Sequence, residues 1–115
     1  MTHTILLLQR TGSVQSRTWA EFETVGASIE HLIDLYEQHL TEQNPNLSHI
    51  QYSAEELTGY LERFKELAAL VYDSKQKAYV PHDKGWLRER VVQQLLRDAQ
   101  GGGQRHGGAR GGRRR

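Results

Sequence analysis

Histidines and carboxylates are the side chains of this sequence that could bind a metal ion or transfer a proton. Six histidines and fourteen acidic residues are present among 115 positions. His31 and Asp34 would lie one helical turn apart, with Glu30 beside them, but there is no HExxH motif and no cysteine. The other histidines of the body are scattered through the sequence, at His3, His39, His49 and His82. We therefore interpret the helix histidines as solvated and expect no metal site.

Catalytic motifs are also absent from the sequence. Residues 1–100 contain no Gly-rich phosphate-binding loop and no GxSxG motif, and no nucleophile stands beside a plausible base. Acidic side chains on helices usually form a solubilising surface. We therefore expect a protein that is not an enzyme, with no cofactor and no small-molecule substrate.

Basic residues are divided unevenly along the chain. The last fifteen residues, GGGQRHGGARGGRRR, hold five arginines and no acid, whereas residues 1–100 hold ten basic and fourteen acidic residues, a net charge of −4. A segment without apolar side chains larger than alanine cannot offset the entropy of ordering its backbone, so we expect residues 101–115 to form a disordered tail. Its arginines are Arg105, Arg110, Arg113, Arg114 and Arg115. They could bind RNA phosphates without sequence specificity, and a solubilising or nuclear-import tail is an alternative of equal weight.

The remaining composition limits the class of protein. No window approaches the roughly 18 consecutive apolar residues of a membrane span, and the first residues lack the pattern of a signal peptide. The absence of cysteine excludes disulfides and thiolate metal sites and is typical of a reducing compartment, the cytosol or the nucleus. Residues 1–100 are expected to form one domain with a single modest core.

Alternating apolar residues predict two β-hairpins. Residues 3–9 and 17–23 form the first, and residues 70–72 and 78–80 form the second. Three amphipathic helices account for the rest, so the predicted order is ββααββα. We expect an α+β fold in which a four-stranded antiparallel sheet carries the three helices on one face.

Capping residues and apolar stripes predict the helices. Thr24 caps the first, Ser53 opens a capping box for the second, and Asp83 caps the third. The apolar stripe of the second helix runs from Leu57 to Leu67 at helical spacing. The opposite face of the first helix is expected to be solvated and carries Glu30, Asp34, Glu37 and Gln38.

The first strand is apolar on both of its faces. Leu6 and Leu8 share one face, and Ile5 and Leu7 share the other. Because the helices cover a single face of the sheet, one of these pairs needs another cover. Ile5 and Leu7, joined by further residues of the second and fourth strands, would make a patch large enough to drive association, and a twofold homodimer is the commonest solution. The alternative is that the strand is simply central and is covered by the tail or a loop.

Several spaced motifs resemble the enhancer of rudimentary family. They are HTILL.Q at 3–9, RT.A..E at 17–23, YE.HL...NPN at 36–46, LVY......Y.P at 70–81 and a tryptophan at 86 before a basic helix. The resemblance runs from Met1 to about Gln100, so the Gly/Arg tail lies outside it. Trp19 and Phe22 stand where the family pattern has tyrosines.

The resemblance implies a small α+β fold, a homodimer built through the sheet face, and a non-enzymatic nuclear adaptor that binds short segments of RNA-processing proteins. It also implies roles in splicing, primary microRNA processing and selective mRNA elimination, with links to the cell cycle and pyrimidine metabolism. A partner groove is expected beside the first helix, near Tyr36 and Leu40. By position, the dimer face would consist of His3, Ile5, Leu7, Thr18, Ala20, Phe22 and Tyr79.

Two residues of that face suggest regulation. Thr18 has a carboxylate at +3, Glu21, which fits an acid-directed kinase site, although an unmodified strand threonine is the favoured interpretation. A phosphate on Thr18 would bring about two negative charges into the dimer face and oppose pairing. His3 in a dimer contact would make association sensitive to pH near 6–7.

Overall fold

The computed structural model describes residues 2–48 and 51–100. Its strands and helices are β1 (Thr4–Gln9), β2 (Arg17–Phe22), α1 (Val25–Gln43), α2 (Ala54–Glu62), β3 (Glu66–Asp73), β4 (Ala78–His82) and α3 (Lys84–Gln100). A turn of 3-10 helix, Val14–Ser16, lies between β1 and β2. The predicted α+β fold and the order ββααββα are confirmed.

One antiparallel sheet contains all four strands, in the order β2-β1-β3-β4. The β1–β2 and β3–β4 hairpins close locally, whereas the β1–β3 pairing joins distant residues, such as Leu6 and Ala69. Leu6 and Leu8 point toward the helices and are buried, while Ile5 and Leu7 point away from them. The predicted division of the first strand into a covered and an uncovered pair is therefore confirmed.

The core lies between the sheet and the three helices. It is built from the apolar stripes of the helices together with the helix-facing residues of β1 and β3. Its buried apolar residues are Leu6, Leu8, Ile29, Leu32, Ile33, Tyr36, Leu57, Tyr60, Leu61, Phe64, Leu67, Ala69, Leu87 and Val91. This single core holds the helices on one side of the sheet, and no described helix or loop covers the other side.

The predicted caps begin all three helices. Thr24 Oγ1 accepts a hydrogen bond of 3.0 Å from an N–H of the first turn of α1. Ser53 and Glu56 form the complete capping box of α2, with N···O distances of 3.1 and 2.8 Å. Asp83 Oδ1 accepts at 2.9 Å from an N–H of the first turn of α3. Each cap satisfies backbone donors that no intrahelical carbonyl can reach.

The second helix is shorter than its apolar stripe. It ends at Glu62, and Leu67 belongs to β3, so the prediction of a helix through Leu67 is wrong. Lys84 Nζ donates to the carbonyl oxygens of Glu62 and Phe64, at 3.2 and 2.7 Å, and so closes the carboxyl end of α2. Phe64 and Leu67 still enter the core, because a tight turn and then a strand bring them to the same buried side.

The polar face of α1 is partly covered. Glu37 is 0% exposed, and its carboxyl group accepts a hydrogen bond of 2.5 Å from the Tyr52 hydroxyl. The prediction that Glu37 is solvated is therefore wrong. The tyrosine lies fifteen residues further along the chain, where the segment before α2 packs back against α1.

Candidate interaction surface

The uncovered side of the sheet is apolar. Residues directly opposite each other in an antiparallel pair share a face. Leu7 is opposite Trp19 and Ala68, and Ile5 is opposite Leu70, so these five side chains belong to one surface. The β3–β4 pairing extends this surface to β4. We call it the open face, and its apolar members are Ile5, Leu7, Trp19, Ala68, Leu70, Tyr72, Tyr79 and Pro81.

Large apolar side chains of the open face are exposed to solvent. Leu7 is 40% exposed and Trp19 is 65% exposed. Beside them lies a shallow cavity of about 370 Å³, lined also by Ala68 and bordered by Arg17 and Glu66. A contiguous apolar surface of this kind is typical of an interaction site.

Three of the predicted interface residues lie on the other face. The register places Thr18, Ala20 and Phe22 opposite the helix-facing residues of β1. Phe22 packs against the core, with its ring 5.2 Å from the ring of His31. The prediction that these three residues share the open face is wrong. A phosphate on the exposed Thr18 would likewise enter the helix side of the sheet.

Loop length decides this register. Gln9 is opposite Arg17, so residues 10–16 form a loop of odd length and each residue of β1 pairs with a residue of the same parity in β2. Leu7 therefore pairs with Trp19, which was not among the predicted interface residues. The odd loop length was the available signal. The other β3 and β4 members were not predicted either, because their faces depend on a strand register that the sequence pattern does not contain; they are Ala68, Leu70, Tyr72 and Pro81.

His3 borders the open face as part of a polar row. Its Nδ1 lies 2.7 Å from the Tyr79 hydroxyl, and its Nε2 lies 3.0 Å from Glu21 Oε1. The Tyr79 ring also packs edge-on against Tyr72, at 5.3 Å between centroids. Thus His3, Ile5, Leu7 and Tyr79 are together at the open face, as four of the seven predicted residues.

The predicted groove residues belong to α1. Tyr36 is 5% exposed and packs at 5.0 Å from both Tyr52 and Tyr60, and burial raises the pKa of its hydroxyl. It therefore offers a partner almost no surface in this structure. Leu40 is half-buried against the core. The peptide groove itself stays a prediction.

The described part of the chain contains no group of three or more His, Asp or Glu residues placed to hold a metal ion. His31 is half-buried rather than solvated, which corrects the interpretation of this helix histidine. Burial lowers the pKa of its imidazole, and nearby Asp34 partly opposes that effect.

Comparison with models of known families identifies the family of this chain. The model of the family described as Enhancer of rudimentary matches residues 1–101. The chain belongs to the enhancer of rudimentary family. The match covers the body of the sequence, as the spaced motifs predicted, and the Gly/Arg segment lies almost wholly beyond it.

Relatives in this family align over nearly their full lengths. An enhancer of rudimentary homolog of Arabidopsis thaliana is 37% identical over 100 residues, which cover 87% of this chain and 92% of the relative. A homolog of Dictyostelium discoideum is 37% identical and is covered completely, along 87% of this chain. Protein enhancer of rudimentary of Drosophila virilis is 34% identical over 86% of this chain and 94% of its own length.

Other predictions for this enhancer of rudimentary protein concern its tail and membrane contacts. The five tail arginines lie outside the described residues. Within the described ranges, no helix has the length and apolar character needed to cross a membrane.

Proposed function

We propose that this family member is a homodimeric, non-enzymatic adaptor in the nucleus, with the cytoplasm as a second location. It would present two equivalent sites to short segments of nuclear RNA-processing proteins, in splicing, primary microRNA processing and selective mRNA elimination. Links to the cell cycle and to pyrimidine metabolism would follow from those roles. Family membership supports the processes, and the open face supports the dimer.

The observation that carries the proposal is the uncovered apolar surface of a single-core domain. Full burial of a Leu or Ile side chain contributes about 1.5–3 kcal/mol, so leaving Ile5 and Leu7 uncovered forfeits a large part of that amount. Packing two open faces about a twofold axis would bury on the order of 1,200–2,000 Å² in total, the size of a stable interface. A second copy supplies the apolar cover that a polar Gly/Arg tail cannot.

Charge substitutions on the open face test the dimer. The double variant Ile5→Arg with Leu7→Arg places two cations in the proposed interface and should halve the mass measured by light scattering. Leu96→Arg is the matched control, because this α3 residue is 57% exposed but lies away from the sheet face. A wild-type protein that already has the mass of one chain, equal to that of the double variant, would contradict the proposal.

Neighbouring residues of β2 test which face is used. Trp19 belongs to the open face and Thr18 to the helix side, although both are exposed. Trp19→Glu should therefore weaken the dimer at least about tenfold, whereas Thr18→Glu should leave its dissociation constant unchanged. The reverse pattern would favour a dimer through the face of Thr18, Ala20 and Phe22.

Bivalence is the functional consequence of the dimer. Two linked sites raise the apparent affinity for a partner that carries two binding segments, without any new contact. In a pull-down from nuclear extract, the wild type should keep its partners after nuclease treatment, and the Ile5→Arg, Leu7→Arg variant should retain them poorly. Loss of the partners after nuclease treatment would instead indicate bridging by RNA.

RNA binding through the tail is the second candidate function. It is favoured by five arginines and no acid within the last fifteen residues, next to a body of net charge −4 that repels RNA. A chain truncated after Gln100 should then lose both RNA retention and most of its dependence on salt. Unchanged retention and an unchanged salt dependence would exclude the tail as the RNA contact.

A further inference from the structure

One end of the sheet gathers cations from separate elements. Gln9 at the end of β1 lies opposite Arg17 in β2 and Glu66 in β3, so these strands share one boundary. Arg10 and Lys65 lie next to that boundary in sequence, and Arg63 lies between α2 and β3. We call the basic end the three residues Arg10, Arg63 and Lys65; Arg17 lies at the same boundary but on the open face, beside Trp19.

Two of these arginines lie beside the aromatic part of the core. The Arg10 guanidinium carbon is 5.6 Å from the centroid of the Phe64 ring. The charges of Arg10 and Arg63 both act on the Tyr60 hydroxyl and partly oppose the rise in pKa that burial causes there. The Tyr60 hydroxyl is itself buried, with no hydrogen-bond partner among the described residues. Arg10 and Arg63 therefore converge on one site at the helix side of the sheet end.

The cations of the basic end are exposed. None of them takes part in the ion pairs His3–Glu21 and Arg88–Glu62 of the described residues. Their charge is thus available to a partner, although residues 1–100 as a whole are acidic.

We propose that the basic end binds an acidic segment of a partner protein, a short run of Asp or Glu residues. Arginine presents a planar fork of donors that matches a carboxylate, and paired forks favour closely spaced acids. The site lies beside Phe64, which belongs to the core under the helices, so a dimer formed through the open face leaves it accessible. It is therefore an interaction surface separate from the sheet face.

One feature of the site favours carboxylates over RNA. Phe64 and Tyr60 are buried, so the site presents no exposed aromatic ring on which bases could stack. An RNA would therefore contact the site through its phosphates alone, without the stacking that contributes to single-strand binding.

The test uses the full chain with its five tail arginines changed to glutamine, so that the tail contributes no charge. Fluorescence anisotropy at low salt measures binding of labelled hexaglutamate and of labelled hexauridylate. Arg10→Glu with Arg63→Glu should weaken hexaglutamate binding about tenfold or more. Lys75→Glu with Lys77→Glu is the control of equal charge change, because the β3–β4 turn lies at the opposite end of the sheet, and it should have little effect.

A second double variant controls for the loss of the Arg10–Phe64 contact in the first. Arg63→Glu with Lys65→Glu leaves that contact in place and should also weaken hexaglutamate binding. Absence of binding to the parent chain, equal weakening in the Lys75, Lys77 control, or tighter binding of hexauridylate than of hexaglutamate would each overturn the proposal. Light scattering on the same samples keeps this result distinct from the dimer, whose mass should be the same in all variants.

Discussion

The imidazole Nδ1 of His3 lies 2.7 Å from the hydroxyl oxygen of Tyr79, and its Nε2 lies 3.0 Å from a carboxylate oxygen of Glu21. One side chain just before β1 thereby links β2 to β4 along the border of the open face. A neutral imidazole can satisfy both contacts, since Nδ1 accepts from the tyrosine and Nε2–H donates to the carboxylate. These two contacts fix the ring at the border of the open face.

Replacing His3 should therefore weaken the dimer. His3→Ala removes both contacts, which hold Tyr79 at the border of the open face, and should raise the dissociation constant several-fold, roughly as for the loss of a hydrogen bond in each copy. His82→Ala, changed on the helix-facing side of β4, is the control and should leave the constant unchanged. Sedimentation equilibrium measures both, and equal constants for the wild type and His3→Ala would remove the hypothesis.

His31 should make the fold itself sensitive to acid. Burial against Phe22 lowers its pKa in the folded state below the ordinary value of 6.5, so the unfolded chain takes up the proton first. The free energy of unfolding should fall as the pH drops below about 6.5, down to the lower pKa of the folded state.

Denaturant titrations at pH 7.5 and 5 measure this effect. His31→Gln should remove this part of the pH dependence. Asp34→Asn should enlarge it, because the aspartate raises the pKa of His31. A pH dependence that is the same in all three proteins would refute the assignment to His31.

Lys77 should be replaceable by glycine with a gain in stability. Its φ of 56° is the left-handed conformation, which costs a residue with a Cβ roughly 1–2 kcal/mol, while glycine loses about 0.5–1 kcal/mol of entropy on folding. Lys77→Gly should raise the free energy of unfolding by about 0.5–1 kcal/mol. Thermal and denaturant unfolding test this, with Lys75→Gly as the control that should not gain; equal effects at both positions would count against it.

The buried contact between Tyr52 and Glu37 should be important for stability. Tyr52→Phe leaves a fully buried carboxyl group without its 2.5 Å hydrogen bond, at a cost of about 1.5–3 kcal/mol. Tyr36→Phe is the matched control in the same aromatic group, since the Tyr36 hydroxyl has no hydrogen bond to any described residue, and it should cost under about 0.5 kcal/mol. Equal losses in both variants, measured by denaturant unfolding, would argue against a specific role for the contact.

Local patterns were enough to predict the elements but not every face. Thr24, Ser53 and Asp83 were identifiable as caps because a cap depends on residues within one turn. The orientation of Trp19 depends on the strand register, and the burial of Glu37 depends on a tyrosine fifteen residues away. Pairings between residues far apart in sequence do not show in the spacing of apolar and polar residues. The open face was therefore predicted from β1, while its β3 part became visible only with the sheet order.

The sheet order also has a consequence for biosynthesis. The central pair of strands joins the first ten residues of the chain to residues 66–73, with two helices in between. While β3 is still inside the ribosome, one edge of β1 has no partner strand and the leucines of β1 are exposed. The amino-terminal hairpin thus keeps an unpaired strand edge until the second hairpin emerges, and we expect a chain terminated before residue 66 to aggregate rather than to fold as a smaller domain.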